Sequence, residues 1–572
     1  MKALQQSDWV EATVASLNWR QKIAQLLHPP LTFWDSRINQ STLLGQIIHA
    51  QTGGAFLSGR PYRELRELVK KVASGVSVPP IFSGDCECGP NAAVEGASFG
   101  YAMSLAAIVD LQEAAEIAYS VGRIAAIQSR AVGIRWSFAP VVDLNLHPGN
   151  PITNARSYGD DPERVSICAV AYMRGLQDHG VAATLKHFPG DGVDDRDQHV
   201  VTAINSLSSK EWSETFGHTF RAGIDAGCAA VMVGHIALVG RSTRDWTSGR
   251  LLPATADRRI QGQLLREEMG FNGVIISDAI GMGGMAGHFA SENEQVVANL
   301  ASGSDMVLFP MKVESAIDAI LYALDEGRLS ENELLTSVRR ILKLKEQYSA
   351  VDPTMFPDDE TAHAAFMADH SALMRRLARR SITLAVDRGK LLPLSLQEHY
   401  HILIFELPNE TSDLSQLAVI DSSSCESKLV SPLQEELENI GCRVTWVRTF
   451  LEYENAIKDA SVVVYVSRSR PQAGRNSIRL SYNAVQSIDF SRIFSGYPSI
   501  FLSLGNPCSL WELPNIPCLI CTYSGSEQAQ RTAAQAIYGQ LPFPGKLPVK
   551  IPEYLPFARQ NNLSKDNSVN LM

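Results

Sequence analysis

No run of about eighteen apolar residues occurs anywhere in the 572-residue chain, which excludes a membrane-spanning helix of ordinary length. The amino-terminal stretch MKALQQSDWVEATVASLNWRQ lacks the apolar core of a signal peptide, so a cytoplasmic protein is expected. Basic runs are missing too. A net charge of -10 is spread along the chain, and neither nucleic acid nor a membrane surface is expected as a partner. Cysteines are few and odd in number, nine in all, and Cys228, Cys518 and Cys521 sit in apolar settings where free thiols act as small hydrophobes. Cys86 and Cys88 form a C-x-C, but no second pair at ligand spacing accompanies them, so no metal is expected. No low-complexity segment is present. No nucleotide fingerprint follows the first strand of the carboxyl-terminal half, and no cofactor is expected.

What is present is a regular alternation. Apolar segments recur at GGAFLSG from Gly53, VPPIFSGD from Val78, IRWSFAPVVD from Ile134, VAATLKHF from Val181, AAVMVGHI from Ala229, GVIISDAI from Gly273 and SDMVLF from Ser304, with helical sequence between them. WRQKIAQLL, from Trp19, places Ile23, Leu26 and Leu27 on one helical face. Strand alternating with helix reads as parallel α/β. Five of the seven segments end in polar residues: Asp85, Asp143, Lys186 with His187, His235, and Asp278. Such exits converge on a common mouth in a (β/α)8 barrel, whereas a doubly wound sheet concentrates its site at one switch point. The expectation is therefore a TIM-type (β/α)8 barrel over residues 1–350, with one strand missed or degenerate. VDPTMFPDDET opens a linker over 351–372. Beyond it, YHILIFEL, RVTWVRTF, SVVVYVS, SIFLSLG and CLICTYS alternate with helices and predict an α/β/α sandwich over 373–572.

Lys186 to His199, KHFPGDGVDDRDQH, holds two histidines, four aspartates, a lysine and an arginine in fourteen positions. It begins where a buried strand ends, and polar groups on a loop held by a rigid strand are a usual place for chemistry. Asp278 ends the apolar GVIIS and precedes the glycine-rich AIGMGGMAG. A carboxylate there suits a nucleophile that forms a glycosyl-enzyme; the ordinary alternative is a helix cap. Such a nucleophile needs an acid. Asp197 and His199 stand two apart in a glycine-containing loop, where the carboxylate can accept from one imidazole nitrogen and leave the other to exchange a proton.

These residues resemble the family 3 glycoside hydrolases, and within them the β-N-acetylglucosaminidase branch in its two-domain form. KHFPG with the following D-x-H resembles the branch signature, and GFNGVIISDAIGM resembles the nucleophile strand. Weaker echoes are D-x-E-x-G at Asp85, NARSYGDDP at Asn154, VMVGHI at Val231, SITLAVDRGKLLPL at Ser381 and PGKLPVKIP at Pro544. The resemblance implies a retaining mechanism with Asp278 as nucleophile and Asp197/His199 as acid/base. It also implies that Asp85, Arg156, Lys186, His187 and His235 hold sugar hydroxyls. Each of these has a structural alternative: a helix cap for Asp85, a surface ion pair for Arg156, a satisfied core histidine for His235. The chain departs from the pattern at Asp191, where the family usually has histidine, and Asp194, Asp195 and Arg196 keep another acid/base open.

The leading expectation is an exo-β-N-acetylglucosaminidase that hydrolyses small saccharides such as peptidoglycan fragments. Three alternatives stay beside it: phosphorolysis, since a histidine acid/base repels phosphate less than a carboxylate does; a β-glucosidase; and a sugar-binding sensor without catalysis. The oligomeric state is left open.

Overall fold

The computed structural model describes residues 7–32, 39–245, 248–348, 357–407, 431–474, 478 and 496–551. Short apolar runs between glycine and proline yield short, fully buried strands. In chain order they are β1 (Leu27–His28), β2 (Gly54–Phe56), β3 (Ile81–Gly84), β4 (Trp136–Ser137), β5 (Thr184–Phe188), β6 (Ala203–Asn205), β7 (Ala230–Val233), β8 (Ile236–Leu238), β9 (Val274–Ser277) and β10 (Val307–Leu308). Ladders join β2 to β3 and β3 to β4, β5 to β7 and β7 to β9, and β10 to β1, all parallel. Parallel bridges Pro30–Phe56, Trp136–Ala182, Val141–Lys186 and Ile276–Met306 close the remaining gaps. The result, among the described residues, is an eight-stranded parallel ring with helices outside, the expected (β/α)8 barrel. β6 and β8 form a separate parallel pair beyond the ring.

The eighth strand is β1, hidden in the sequence where Leu26 and Leu27 extend a helical pattern. The helix stops at Ala24, and β1 is two residues long because Pro29 and Pro30 supply no N–H to continue a ladder. Inside the ring, Phe56 stacks on Phe138 and Trp136 meets Phe138 edge-on, so the barrel is filled rather than open.

The second domain is a six-stranded sheet among the described residues. Its strands are β11 (Thr383–Asp387), β12 (His401–Glu406), β13 (Arg443–Val447), β14 (Val462–Ser467), β15 (Ser499–Ser503) and β16 (Cys518–Cys521). Their order is β11-β16-β15-β14-β12-β13, all parallel except β11, which runs antiparallel to β16. β11 was not among the expected strands. It follows the helix Ser371–Ser381 after one residue, with no glycine or proline between them to mark the change. The run VVVYV in β14 is apolar on both faces because both are covered. Val462, Val464 and Val466 pack under the helices Ser431–Ile440 and Glu527–Ile537. Val463 and Tyr465 pack in a cluster that includes Met103 and Ala155 of the barrel, so the two domains share a core.

Of the expected linker, residues 351–356 lie outside the described residues. The remainder holds a helix, Asp359–Met367, docked on the barrel helix Tyr62–Ser74: Phe366 stacks on Tyr62 at 4.7 Å and Asp359 pairs with Arg66 at 2.7 Å. Among the described residues, no helix is long and apolar enough to cross a membrane.

Candidate active site

Strand exits on β3, β5, β7 and β9 deliver Asp85, Lys186 with His187, His235 and Asp278 to one end of the barrel, and the stretch after β4 adds Asp143 and Arg156. They sort into three connected groups.

The first group is ionic. Lys186 Nζ donates to Asp85 Oδ1 at 2.9 Å and pairs with Glu87 Oε1 at 2.7 Å. Glu87 in turn takes a fork from Arg156, Nε to Oε2 at 2.8 Å and Nη2 to Oε1 at 2.6 Å, while Arg156 Nη1 donates to the Ile152 carbonyl at 3.1 Å. Burial alone would push Glu87 toward its neutral acid, but Arg156 and Lys186 overcome it and hold the carboxyl well below the usual carboxylate range. Burial likewise opposes the charge on Lys186, and Asp85 and Glu87 reverse that and raise its pKa. Asp85 keeps 24% of its side chain exposed against 3% for Glu87, so Asp85 is the carboxylate that faces the mouth. Arg156 is buried, which disposes of a surface ion pair.

The second group orients His187. Asp143, fully buried, accepts from His187 Nδ1 at 2.7 Å through Oδ2, and through Oδ1 from the backbone N–H of His187 at 3.1 Å and of Asp191 at 2.8 Å. A carboxylate on Nδ1 fixes the proton there and leaves Nε2 as the free ring nitrogen.

The third group surrounds Asp278. Burial raises its pKa, but His187, His235 and His199 together outweigh that and leave it lowered, so the carboxylate is ionised among three imidazoles. His235 bonds through both ring nitrogens, Nδ1 to Thr255 Oγ1 at 2.8 Å and Nε2 to the Ala279 carbonyl at 2.9 Å. Since a carbonyl only accepts, the proton is on Nε2 and Nδ1 accepts from the threonine. Burial also lowers the pKa of His235, against the opposing pull of Asp278. His235 is therefore placed as a satisfied histidine that holds the turn after Asp278, with no ring nitrogen left for a sugar.

The loop from Gly190 brings the dyad to the same place. Asp197 Oδ1 accepts from His199 Nδ1 and from the His199 backbone N–H, both at 2.8 Å. Asp197 is fully buried, and 30% of the His199 side chain is exposed. The loop lies directly against the turn that follows Asp278: Gly283 N donates to His199 O at 2.9 Å and Gly284 N to Gln198 O at 3.1 Å. Only glycine permits this approach, since a Cβ at Gly283 would lie 2.2 Å from Val200 O and one at Gly284 2.7 Å from Gln198 O. Asp194 is tied to the Ile204 N–H at 2.9 Å, and Asp195 and Arg196 are exposed.

Residues from the second domain complete the arrangement. Gly474 N donates to Asp197 Oδ2 at 2.8 Å, and Asn506 Oδ1 accepts from Asn154 Nδ2 at 3.1 Å beside Arg156. Several participants carried no assigned role in the sequence, among them Glu87, Asp143, Gln198 and Gly474. The first two were visible as a D-x-E and a polar strand exit; the others had no signal. Cys86 and Cys88 are buried, and burial pushes the Cys86 thiol up to about 11. Among the described residues, no cluster of His, Cys, Asp or Glu is arranged to hold a metal.

A parallel barrel with an ionised carboxylate beside a carboxylate-bound histidine, and a buried ionic cluster at the same end, is an arrangement suited to carbohydrate chemistry. The chain belongs to glycosyl hydrolase family 3: the family model described as the Glycosyl hydrolase family 3 N terminal domain matches residues 18–344. A Beta-N-acetylglucosaminidase/beta-glucosidase of Cellulomonas fimi is 31% identical over 552 residues, 95% of each chain. A Beta-hexosaminidase of Stenotrophomonas maltophilia is 39% identical over 214 residues, 37% of this chain and 60% of that protein. Among solved structures, the Beta-glucoside phosphorylase BglX bound to 2FGlc superposes with a TM-score of 0.85 at 27% identity, covering 98% of this chain and 99% of that one. A glycoside hydrolase family 3 beta-N-acetylglucosaminidase from Paenibacillus sp. str. FPU-7 gives 0.75 at 26% identity over 94% of this chain and 99% of that one. Enzyme relatives over nearly the full length set the sensor alternative aside.

Proposed function

We propose that this enzyme is a retaining, exo-acting β-glycoside phosphorylase, which transfers a terminal glucosyl unit from a small glycoside to phosphate. Asp278 attacks the anomeric carbon while His199 gives the proton on Nε2 to the departing oxygen, leaving a glycosyl ester on Asp278 and a neutral imidazole. Hydrogen phosphate then attacks the same carbon and expels the Asp278 carboxylate, and its proton returns to His199. The sugar rests on Asp85, Lys186, His187 and Arg156.

One observation carries the choice of phosphate. Two carboxylates of the site stand behind imidazoles that act on Asp278: Asp197, fully buried, behind His199, and Asp143, fully buried, behind His187. The acceptor side therefore presents rings where a carboxylate acid/base would repel an anion. The near-full-length likeness to a Beta-glucoside phosphorylase supports this over the hydrolysis expected from the sequence. A second reading is hydrolysis of β-N-acetylglucosaminides, with peptidoglycan fragments as the substrate class; the Cellulomonas fimi relative and the D-x-H pattern favour it.

Nitrophenyl β-glucoside and nitrophenyl β-N-acetylglucosaminide, each with and without phosphate, separate the two. Phosphorolysis yields sugar 1-phosphate and a rate that rises with phosphate. Free sugar alone at saturating phosphate leaves the hydrolase, and the faster of the two substrates identifies the sugar.

A further inference from the structure

Between the two dyad residues lies Gln198, a fully buried side chain with no part in proton transfer. Its Nε2 donates to Asp191 Oδ2 at 3.3 Å and its Oε1 accepts from the His235 backbone N–H at 2.9 Å. Asp191 is itself fixed, accepting through Oδ1 from Asn150 Nδ2 at 3.0 Å and Gly192 N at 2.7 Å, with its own N–H on Asp143. At the other end, His235 holds the Ala279 carbonyl next to Asp278.

We propose that Gln198 is the positioning residue of the acid/base loop: a latch that ties the loop to the Asp143–His187–Asp191 group on one side and to the turn carrying Asp278 on the other. The proposal rests on the reading of His199 as the acid/base.

The chemistry of the position is specific. One side needs a donor toward a carboxylate, the other an acceptor toward an N–H, and the glutamine amide is both. Glutamate would replace the donor toward Asp191 by an acceptor, and an apolar side chain would leave Asp191 Oδ2 without this bond and the His235 N–H without its acceptor in a buried place. A loop with two glycines and five charged residues between Gly190 and Asp197 has little of its own to hold a fixed shape. Because Asp197 and His199 flank Gln198, fastening the middle residue sets where both neighbours point. The departure from the family pattern at Asp191 then has a use: it supplies the acceptor that Gln198 requires.

The test compares two glycosides of the same sugar through kcat/KM, which reports formation of the glycosyl-enzyme whichever acceptor follows. A dinitrophenyl glycoside departs without a proton; an alkyl glycoside needs one. With Gln198→Met, the alkyl substrate is expected to lose roughly 10- to 100-fold, since small misplacements of a reacting group have effects of that order. The dinitrophenyl substrate should change by less than about threefold. Asp191→Asn opposes two amide N–H groups and should give the same selective loss. The double variant Asp191→Asn with Gln198→Glu reverses the polarity of the pair at constant charge and should restore the alkyl substrate to within about threefold. Equal losses on both substrates, no loss, or a double variant no better than Asp191→Asn would overturn the latch. His199→Ala is the control: if it too lacks the selective loss, the acid/base reading fails instead.

Discussion

Gly474 of the second domain donates its backbone N–H to Asp197 Oδ2 at 2.8 Å, while Asp197 Oδ1 is occupied by the backbone N–H and the ring of His199. The Asp197–His199 pair is thus completed across the domain boundary, and in the acid/base reading proposed above the second domain acts on proton transfer by a main-chain group. Gly474 has φ +78°, where a residue with a branched Cβ is strained by about 1–3 kcal/mol. Gly474→Val is expected to move the amide away and remove its hydrogen bond to Asp197 Oδ2. We predict a roughly tenfold fall in kcat/KM for alkyl glycosides, with stability lowered by no more than that backbone strain of about 1–3 kcal/mol because the position is exposed. Steady-state kinetics beside a thermal melt check it.

As the proposed nucleophile, Asp278 must be ionised to attack, and in that reading activity is lost as pH falls through its pKa. Burial raises that pKa and the histidines, His187 foremost, lower it. Replacing His187 by Gln removes the largest opposing influence, so the pKa rises and the acid limb of the kcat/KM profile moves to higher pH. The displacement is read as the shift of that limb between parent and His187→Gln. A limb that stays in place would mean that His187 acts on the sugar alone.

Lys345 is fully buried with its Nζ on Gln25 Oε1 at 2.7 Å, and burial lowers its pKa to about 7. In the unfolded chain the value is about 10.4. Between those limits the unfolded state binds more protons, so stability rises with pH from about 7 toward about 10. Below about pH 7 the folded protein carries a buried charge. Lys345→Met should therefore be more stable than the parent at pH 6, by roughly 1–4 kcal/mol. Near pH 10 it should be less stable, by about 1–3 kcal/mol, because Gln25 loses its donor. Denaturant titrations at the two pH values would show the difference changing sign.

Seven barrel strands and five sandwich strands were legible because each is an apolar run punctuated by glycine, proline or a polar exit. β1 and β11 were not, for they join helices without punctuation. At the site, legibility followed sequence separation. Asp197 and His199 lie two apart and announce themselves. Glu87 meets Arg156 from 69 residues away, and Gly474 reaches Asp197 from 277. A backbone amide carries no side-chain signature at all. His235 shows the opposite limit: its residue type suits a sugar ligand, and only the bonds at both nitrogens reveal that it is occupied.

Glu87 gathers the charges of Arg156 and Lys186 in a place closed to water. Glu87→Gln would keep the shape and leave two buried cations facing one partly exposed carboxylate, Asp85. Breaking a buried pair from one side typically destabilises by about 3–5 kcal/mol, and a loss of that order is expected at pH 7. The sign of its pH dependence follows from the depressed carboxyl: the folded pKa lies below the unfolded value of about 4.3, so the contribution is full above that pH and declines as pH falls toward the folded pKa. The gap between parent and variant should therefore be constant from pH 7 to about 5 and narrow below about 4. Kinetics should change in a matching way. Lys186 Nζ, released from Glu87, keeps its bond to Asp85 and is expected to draw that carboxylate from the sugar it is proposed to hold. KM is expected to rise roughly tenfold with a smaller change in kcat, the pattern of lost ground-state binding. A fall in kcat at unchanged KM would instead place Glu87 in the chemical step.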